Sequence, residues 1–475
     1  MMNMPVSLRR FNQAVLLAVL TAASLAPRNS AGAQPGSLDP SFNPGDGVDQ
    51  SVFSMAVQSD GKVVIGGDFS SVNNVSRNRI ARLNSDGQVD ESFDPGLGAD
   101  DLVSAVAMQG NKVIIAGFFT SVDDMARGSI ARLNSDGSLD ATFDPGEGAD
   151  GPILALAVQN DGKIVVGGLF TTIDGIARGN IARLNSNGSV DSSFDPGTGV
   201  TGESFSTVNA LALQSDGKVV IGGTFTNVNG VRRTHVARLQ SSGSLDSSFN
   251  PAIGLAGGGL LAGINTLGIQ SDGGIVIGGD FTSVGGMART NLARLNSNGS
   301  HDASFNPGTG ADSAVSSLAV QSNGKIVVSG FFTHINGTVR NYLARLDKSG
   351  GLDTGFAPGT GASDAVYVTA LQADGKVLIG GAFITFNGTP RHGIARLEGD
   401  AVVQAPQLRN ARHQGNTFSV TVATLAGKSY VLEHKDTVTG TNWTSLPAVN
   451  GDGMDKTLTD PSAVDPHRFY RVRVE

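Results

Sequence analysis

The sequence predicts an all-β protein, a seven-bladed β-propeller closed by an N-terminal clasp strand and followed by a small C-terminal β-sandwich. One phrase of about 50 residues occurs seven times, and a period of this length is typical of repeat architectures. Each copy contains four short β-type runs, which is the content of one propeller blade. The copies open on glutamines spaced by 50 to 56 residues: Gln58, Gln109, Gln159, Gln214, Gln270, Gln321 and Gln372.

The copy from Ile153 to Gly197 shows how one blade is built. The apolar run ILALAVQ predicts a first strand, and Asp161-Gly162 predicts a tight turn into the second strand, KIVVGG. A polar loop leads to the third strand, NIARLN, and the turn SNG leads to a short fourth strand, VDSSF. Asp195-Pro196-Gly197 ends the fourth strand, because proline cannot donate to a β-ladder.

The two ends of the repeat array predict that the ring is closed. The motif LDxSF occurs at Leu38–Phe42, before the first full copy, and then once in each copy up to 352–356. The seventh ARL motif, Ala395–Leu397, has no LDxSF after it. We therefore expect the N-terminal segment to supply the missing fourth strand of the last blade, and its loss to open the propeller.

The repeat resembles a known family. With its DGKxxxGGxF, xxRxxxARL and LDxSFxPG motifs, it is similar to the bacterial delta-60 repeat of secreted β-propeller-like proteins, over about residues 36–398. The resemblance implies a propeller fold and a secreted setting, and it implies no particular biochemical activity.

The N-terminus has the pattern of a secretory signal peptide. Arg9 and Arg10 precede the apolar stretch Ala14–Ala26, which is too short to span a membrane comfortably. Ala31-Gly32-Ala33 is an A-x-A cleavage site. Cleavage after Ala33 predicts a protein that is secreted or held at the cell surface or in the periplasm.

The chain changes character after the repeats. Period-2 runs predict a small β-sandwich, similar through SYxLE…W…FYRVRV to C-terminal modules of secreted proteins from environmental bacteria. Trp443, Tyr430 and Phe469 could form a carbohydrate platform, but so small a domain needs large aromatic residues inside, which favours at least two as core. The runs are Thr417–Ala423, Ser429–His434, Lys456–Thr459 and Arg468–Val474. The predicted domains are a signal peptide (1–33), a propeller (34–399), a linker (400–405) and a β-sandwich (406–475).

Composition excludes several classes of function. The absence of cysteine excludes disulfides and thiolate chemistry. The net charge is −8, and removing Arg9, Arg10 and Arg28 with the presequence lowers it by three to −11. An acidic chain does not neutralise phosphates, so we expect no nucleic-acid partner. No segment after the presequence is apolar enough to predict a membrane span.

Two arginines and one aspartate recur in every copy. The arginine of ARL and the aspartate of LDxSF lie at equal distances from a turn, so they should face each other as structural ion pairs. The functional alternative is a ring of anion-binding arginines. The first three predicted pairs are Arg82 with Asp90, Arg132 with Asp140, and Arg183 with Asp191; a second arginine lies five residues before each first one, as at Arg77.

Carboxylates gather in the links that lead into the first strands. Six of the seven links carry one, and these links should surround one mouth of the central channel. A ring of carboxylates there could bind a cation or a basic partner, and the alternative is a solvated loop. The residues are Asp49, Asp100, Asp101, Asp150, Glu203, Asp312 and Asp364.

The turn NSDGSLD resembles a fragment of a calcium loop. Asn134, Asp136 and Asp140 provide closely spaced oxygens, which suit Ca²⁺. Other copies replace the middle aspartate by asparagine or serine, so the turn-forming character survives while the ligand charge does not. We therefore predict a plain β-turn and no cofactor, with calcium binding as the alternative.

Catalytic motifs are missing, which favours a binding function. The seven histidines do not recur and show no metal-ligand spacing, and no nucleophile elbow stands at a strand–helix turn. We expect an exported, non-enzymatic binding or scaffold protein whose partner is a glycan or a cell-surface protein. The alternative is an extracellular polysaccharide hydrolase or lyase with its site at the channel mouth. The first strands look small and apolar in all copies, which favours the scaffold.

Overall fold

The structure, a computed structural model, describes residues 33–202, 206–251, 255–256, 262–400, 408–424, 428–436, 443–463 and 468–474. The predicted signal peptide up to residue 32, Glu203, and most of the predicted linker lie outside these ranges. The chain divides into two compact units at Asp400. Every regular element in the described ranges is a β-strand, and none of them contains a helix that could cross a membrane.

The first unit consists of seven blades, each a three-stranded antiparallel sheet with the second strand in the middle. The second strands are β-branched and buried throughout, which is the pattern of a strand covered on both faces. The first strands are Val52–Val57, Val103–Gln109, Ile153–Val158, Val208–Leu213, Gly263–Ile269, Val315–Val320 and Val366–Leu371. The second strands are Val63–Gly67, Lys112–Gly117, Ile164–Gly168, Val219–Gly223, Ile275–Asp280, Ile326–Gly330 and Val377–Gly381. The third strands are Ile80–Leu83, Ile130–Leu133, Ile181–Leu184, Val236–Leu239, Leu292–Leu295, Leu343–Leu346 and Ile394–Leu397.

The fourth position of each blade is held by a single bridging residue. In blade three Val190 pairs with Leu184 of the third strand, and Asp191 then turns the chain by accepting hydrogen bonds from the backbone and the hydroxyl of Ser193. The predicted fourth strand is thus present only at its first residue, because the Asp191 side chain bends the backbone before a second pair can form.

The N-terminal segment closes the ring as the sequence predicts. Leu38 pairs with Leu397 of blade seven, and the Asp39 N–H donates to the Arg396 carbonyl at 2.8 Å. Each first strand contacts the first strands of both neighbouring blades, including blade seven with blade one. The N-terminal segment therefore occupies in blade seven the position that the chain's own LDxSF segment occupies in the other blades.

Each blade has two different ends because its strands alternate in direction. The turns between strands one and two and between strands three and four lie at one end, here called the turn end. The links between blades and the connections from strand two to strand three lie at the other, here called the link end. Each connection there carries a small hairpin: Ser71–Val72 with Val75–Ser76, Ser121–Val122 with Met125–Ala126, Thr172–Ile173 with Ile176–Ala177, Asn227–Val228 with Val231–Arg232, Ser283–Val284 with Met287–Ala288, His334–Ile335 with Thr338–Val339, and Thr385–Phe386 with Thr389–Pro390. The links into blades four and five are longer than the others. Each contains a two-residue strand, Val200–Thr201 and Leu255–Ala256 respectively, that pairs with the small hairpin of the blade it enters.

The core lies between neighbouring blades. The cluster around blade two, for example, combines Val64 and Ile80 of blade one with Phe93, Val103 and Ile115. Close approach of the sheets requires a small residue in the second strand, since a Cβ at Gly66 would lie 2.7 Å from Val103 Cγ1 of the next blade. Each sheet therefore depends on the next one for burial, as in other repeat arrays.

The second unit contains two antiparallel sheets. One consists of Leu408–Gln414, Thr417–Ala423 and Asp455–Asp460, and the other of Ser429–Lys435, Thr444–Ser445, Val449–Asn450 and Phe469–Val474. Apolar side chains of both sheets form one cluster. Two sheets with a shared core are what a sandwich requires, and the sandwich itself stays a prediction. Leu408–Gln414 was not predicted, because its exposed polar residues carry no period-2 apolar pattern.

Aromatic residues of the second unit occupy different environments. Tyr430 is buried in the apolar cluster. Trp443 is partly exposed, and its ring is covered by Lys435 Nζ at 4.8 Å and by the Arg471 guanidinium at 4.2 Å. Two cations therefore compete with any ligand for the face of this indole.

Candidate functional site

The turn end holds the recurrent arginines and aspartates in one repeated geometry. Each ARL arginine donates through Nε to Oδ2 of the LDxSF aspartate across the third-to-fourth hairpin, and both side chains are nearly buried in most blades. The distances are 2.6 Å for Arg82 with Asp90, 2.6 Å for Arg132 with Asp140 and 2.7 Å for Arg183 with Asp191. The same pair in blade seven joins Arg396 to Asp39 of the clasp at 2.6 Å.

The paired arginine also fastens one blade to the next. The Arg82 guanidinium lies over the ring of Phe93 at 4.8 Å, which orients the planar fork. Its Nη1 donates to the Ser135 carbonyl in the third-to-fourth turn of blade two at 2.7 Å. Corresponding bonds run from Arg132 to Ser186 and from Arg183 to Ser241. These arginines therefore serve blade packing, because all three nitrogens of each guanidinium already donate to groups of the protein.

A lysine completes this network, and the sequence reasoning gave it no role. Lys62 Nζ donates to the same Asp90 oxygen as Arg82, at 2.8 Å. The lysine of the DGK turn was visible in the repeat, and its recurrence was the signal that could have identified it. At the clasp, burial alone would raise the pKa of Asp39, but hydrogen bonds from Lys376, Ser41 and Arg396 outweigh it and lower the pKa to about 2.

Blades five and six depart from the repeated network. Blade five has Gly274 in place of the lysine, so Asp302 pairs only with Arg294. The Arg294 guanidinium lies 5.6 Å from the ring of Phe305, farther than in the other blades. In blade six Arg345 reaches the Asp400 carboxylate at 2.8 Å, whereas the arginines of the other blades reach a turn carbonyl of the next blade.

The second recurrent arginine lies at the link end. In every blade its Nη1 donates to the carbonyl of the preceding residue, as Arg77 does to Ser76 at 2.9 Å. Its Nε is buried and has no partner in any of the seven blades. The backbone bond and the unpartnered Nε repeat in all seven blades, so they do not single out one blade as a binding site, although Arg77 also lies 3.7 Å from the Asp94 carboxylate.

The NSDG turn is closed by its own side chains. Asp136 Oδ1 accepts from the Ser138 backbone at 3.0 Å and from its hydroxyl at 2.7 Å, while Asp140 is taken up by Arg132 and Lys112. Two of the three oxygen-bearing groups proposed for calcium are therefore engaged elsewhere. No group of three His, Asp or Glu side chains that could bind a metal occurs in the described part of the chain.

Four of the predicted link carboxylates cap the small hairpin of their own blade. Asp100 Oδ1 accepts from the backbone N–H groups of Thr120 and Ser121 at 2.9 and 3.0 Å, and Oδ2 accepts from the Thr120 hydroxyl. Burial alone would raise the pKa of Asp100, but these bonds lower it. Asp49, Asp150 and Asp312 make the same contacts in their blades.

The remaining link carboxylates occupy other positions. Asp101 and Asp364 lie one residue further along and accept only from the next N–H, that of Leu102 and that of Ala365. In blade seven Ser363 takes over the capping position. The structure thus brings the carboxylates to one end of the propeller but uses most of them within single blades.

An aromatic cluster interrupts the small, apolar first strands. The Phe53 and Tyr367 rings, from blades one and seven, stack at 4.9 Å with an interplanar angle of 12°. Phe331 of blade six lies 5.7 Å from Tyr367. The sequence reasoning missed these residues because it compared the first strands by overall character. A comparison position by position would have found an aromatic residue at the second position in blades one and seven only.

Blade six also carries the one histidine that joins a link carboxylate in the described residues. His334 Nδ1 lies 2.9 Å from Asp312 Oδ2 and 3.0 Å from the Thr333 hydroxyl. Burial alone would raise the pKa of Asp312, but bonds from His334 and Thr333 lower it to about 2. Asp312 is therefore ionised at neutral pH and cannot donate a proton.

Two cavities open at the link end. One of about 550 Å³ lies between blades three and four, where Asp150, Leu169, Asn180 and Thr198 line it. The other, of about 410 Å³, lies between blades six and seven and is lined by Tyr342, Ser363 and other residues. Both are shallow, so they suit part of a larger ligand better than an enclosed small molecule.

Comparison with known proteins supports the fold. A family model described as a domain of unknown function (DUF5122) beta-propeller matches residues 58–93, 111–143, 159–194, 214–249, 270–305, 321–356 and 372–400, about half of the chain. No curated protein matches the sequence.

Solved structures with a similar arrangement are distant. The WD40 propeller domain of Doa1 is 14% identical, covers 78% of this chain and 98% of its own, and has a TM-score of 0.49. Sqt1 from Chaetomium thermophilum is 14% identical over 81% of this chain and 97% of its own, with a TM-score of 0.27. An exo-beta-1,3-galactanase from Phanerochaete chrysosporium is 11% identical over 72% of this chain and 98% of its own, with a TM-score of 0.25. These likenesses are too low to bear on function.

Proposed function

Since the chain belongs to the DUF5122 β-propeller family, the repeated residues account for its fold, and we propose that it is an exported, non-enzymatic binding scaffold. Its link end binds a glycan or a surface protein through side chains that differ from blade to blade. Export rests on the signal-peptide pattern of residues 1–33, which also agrees with the secreted setting implied by the resemblance to delta-60 repeats.

The contrast between the two ends of the propeller carries this proposal. At the turn end the same arginine, aspartate and phenylalanine recur in all seven blades and bind one another. At the link end the residue after the last glycine of the second-strand motif is aspartate, phenylalanine, leucine, threonine or alanine, depending on the blade. Variation of exposed side chains on a rigid frame is typical of a binding surface.

The protonation of the carboxyl groups favours binding over hydrolysis. A glycosidase of the usual kind needs one carboxylic acid whose raised pKa keeps it protonated. Among the described residues, each Asp or Glu whose pKa clearly departs from its ordinary value has it lowered. Such groups stay ionised and can accept hydrogen bonds or attract cations.

The alternative is an extracellular polysaccharide hydrolase or lyase with its site at the link-end mouth of the channel. The contact between His334 and Asp312 favours it, because it places a titratable base beside a carboxylate in one blade only. In that case replacing His334 by glutamine should abolish turnover while leaving polysaccharide binding intact.

One experiment separates the two. Residues 34–475 are incubated with labelled cell-envelope proteins and with a panel of polysaccharides, and bound material and new reducing ends are measured together. A binding scaffold gives saturable capture of one component with no new reducing ends. Release of products that His334→Gln abolishes would replace the proposal with the hydrolase, and an absence of both capture and new reducing ends would overturn both.

A further inference from the structure

One residue near the start of each first strand, the second residue in six blades and the third, Asn265, in blade five, lies at the link end of its blade. A β-bulge interrupts the pairing of strands one and two at this residue in every blade, as between Val52 and Ser54. The freed side chain reaches the next blade: Ser104 donates to the Ile153 carbonyl at 2.7 Å, and Asn209 to that of Ile264 at 3.3 Å. A bulge re-aims a side chain, and here it directs one residue per blade toward its neighbour around the ring.

Blades seven and one have aromatic residues at the bulge, and blade six adds an aromatic residue from the end of its second strand. Tyr367 and Phe53 occupy the bulge position and stack on each other, and Phe331 adds a third ring that is 49% exposed. Phe331 follows Gly330 at the end of the second strand, where blade seven has Ala382, the smallest residue at this position among the seven blades. The three rings therefore form a continuous patch that remains open to solvent at Phe331.

Two carboxylates flank the patch. Asp68 accepts from the Ser51 N–H at 2.7 Å, which places it beside the start of the strand that carries Phe53. Asp364 accepts from the Ala365 N–H at 2.7 Å, two residues before Tyr367. Neither forms an ion pair with any of the described residues. Burial and then the charges of Asp364 and Asp68 raise the pKa of Tyr367, so both carboxylates act on the phenol, which stays neutral.

We infer that this aromatic patch, formed by Phe53, Phe331 and Tyr367, binds a lysine side chain of a partner protein. The inference rests on the proposed binding function and names the chemistry of the ligand. The methylene stem of lysine packs on apolar rings while its ammonium group seeks negative charge. Ring faces and carboxylates both attract a cation, and the acidic chain adds to that attraction. A neutral sugar could stack on the rings and donate hydroxyl hydrogen bonds to the carboxylates, but only a cation also gains Coulombic attraction from their charge.

The test measures the fluorine NMR signal of residue 331 in protein labelled with 4-fluorophenylalanine. The signal is assigned as the one that is missing in Phe331→Leu. Acetyl-Gly-Lys-Gly-amide is titrated against residues 34–475 at low salt, beside the same peptide with acetylated lysine and beside neutral oligosaccharides. We expect a saturable shift with lysine, at least about fivefold weaker binding with acetyl-lysine, and weakening by added salt.

Variants separate the patch from its surroundings. Tyr367→Leu and Asp364→Asn should each weaken lysine binding about two- to fivefold, while Tyr367→Phe retains the ring and should bind nearly as the original. Phe118→Leu is the matched control, because Phe118 has the position of Phe331 in blade two, is 43% exposed, and contacts no other ring among the described residues.

Several results would overturn the inference. Equal binding of lysine and acetyl-lysine, a shift with oligosaccharide alone, or no shift at any peptide concentration would each do so. If the protein captures an envelope partner and Tyr367→Leu leaves the capture unchanged, the binding function stands and the lysine site fails. If nothing is captured, the proposed function fails whatever the peptide does.

Discussion

The two ends of the propeller use their carboxylates in opposite ways. At the turn end each aspartate is buried or nearly so and accepts from arginine, and in most blades also from lysine, so these cations neutralise its charge. At the link end the aspartates are more exposed and mainly accept from backbone N–H groups of their own blade, which leaves their charge unbalanced. The first arrangement holds blades together, and the second leaves negative charge available to a partner.

This difference explains why repetition is informative in this chain. A residue that contacts the same neighbours in every blade must be of the same type in all seven, and the residues of the turn-end network are of this kind. A residue at the link end faces solvent or the channel, so each blade can change independently. Residues that break the repeat, such as Tyr367, are therefore better guides to a ligand than residues that obey it.

The largest expected effect on the unfolding free energy comes from replacing the buried aspartate at the clasp. Asp39 is 1% exposed and accepts from Lys376 and Arg396, both at 2.6 Å. Asp39→Asn leaves the buried Arg396 without its carboxylate partner and leaves Lys376 only the Glu398 carboxylate at 3.5 Å, which should cost about 3–5 kcal/mol of unfolding free energy. Denaturant unfolding followed by circular dichroism measures this cost, and limited proteolysis of residues 34–50 reports opening of the clasp.

The matched change at the link end is Asp100→Asn. The asparagine oxygen can still accept from the Thr120 and Ser121 N–H groups, and no buried cation loses its partner. The unfolding free energy should therefore fall by less than about 1 kcal/mol. Equal losses for the two variants would show that the two ends do not differ as described.

The next largest effect should come from acidification, which lowers the unfolding free energy by protonating the turn-end aspartates. The pKa of Asp39 is about 2 in the folded chain against 3.8 ordinarily, so the folded state binds this proton less readily than the unfolded state. Its stabilising contribution, about 2 kcal/mol, is complete above about pH 4 and is lost as the pH falls toward 2. The pKa values of Asp90, Asp140 and Asp191 are lowered as well, by bonds that outweigh burial.

A pH series of denaturant unfolding curves tests this loss. These groups predict little change in unfolding free energy between pH 7 and 5 and a steep fall between pH 4 and 2. Asp39→Asn should show a shallower fall, since one of the contributing carboxylates is gone. Unchanged stability of the original protein at pH 3 would contradict the lowered pKa values.

More of the fold than of the candidate site could be predicted from the sequence, and the reason is physical. Strand periodicity, Asp-Gly turns and the displaced LDxSF motif are local signals repeated seven times, and they predict the blades and the clasp at Leu38. The meeting of Phe331 with Tyr367 depends instead on how neighbouring blades pack and on a bulge that redirects one residue. Neither is visible in a single copy of the repeat. The lysine at Lys62 was visible but was given no role, because the predicted pair already seemed complete with Arg82.

The smallest expected effect on the unfolding free energy comes from giving blade five the lysine that the other blades have. Gly274 replaces the lysine there, and a Cβ at this position would lie 3.0 Å from Arg294 Cδ and 3.1 Å from Asp272 Oδ1, both on side chains that can move. Gly274→Lys should supply Asp302 with its second cation, as Lys112 supplies Asp140 at 2.6 Å. We expect a gain of only about 0.5–1 kcal/mol in unfolding free energy, because the Asp302 side chain is 13% exposed, and part of this gain comes from removing a glycine, which restricts the unfolded chain. Gly274→Met, which has no charge, measures the backbone contribution alone. If methionine stabilises as much as lysine, the added cation contributes nothing, and the weaker network in blade five is a matter of backbone freedom rather than charge.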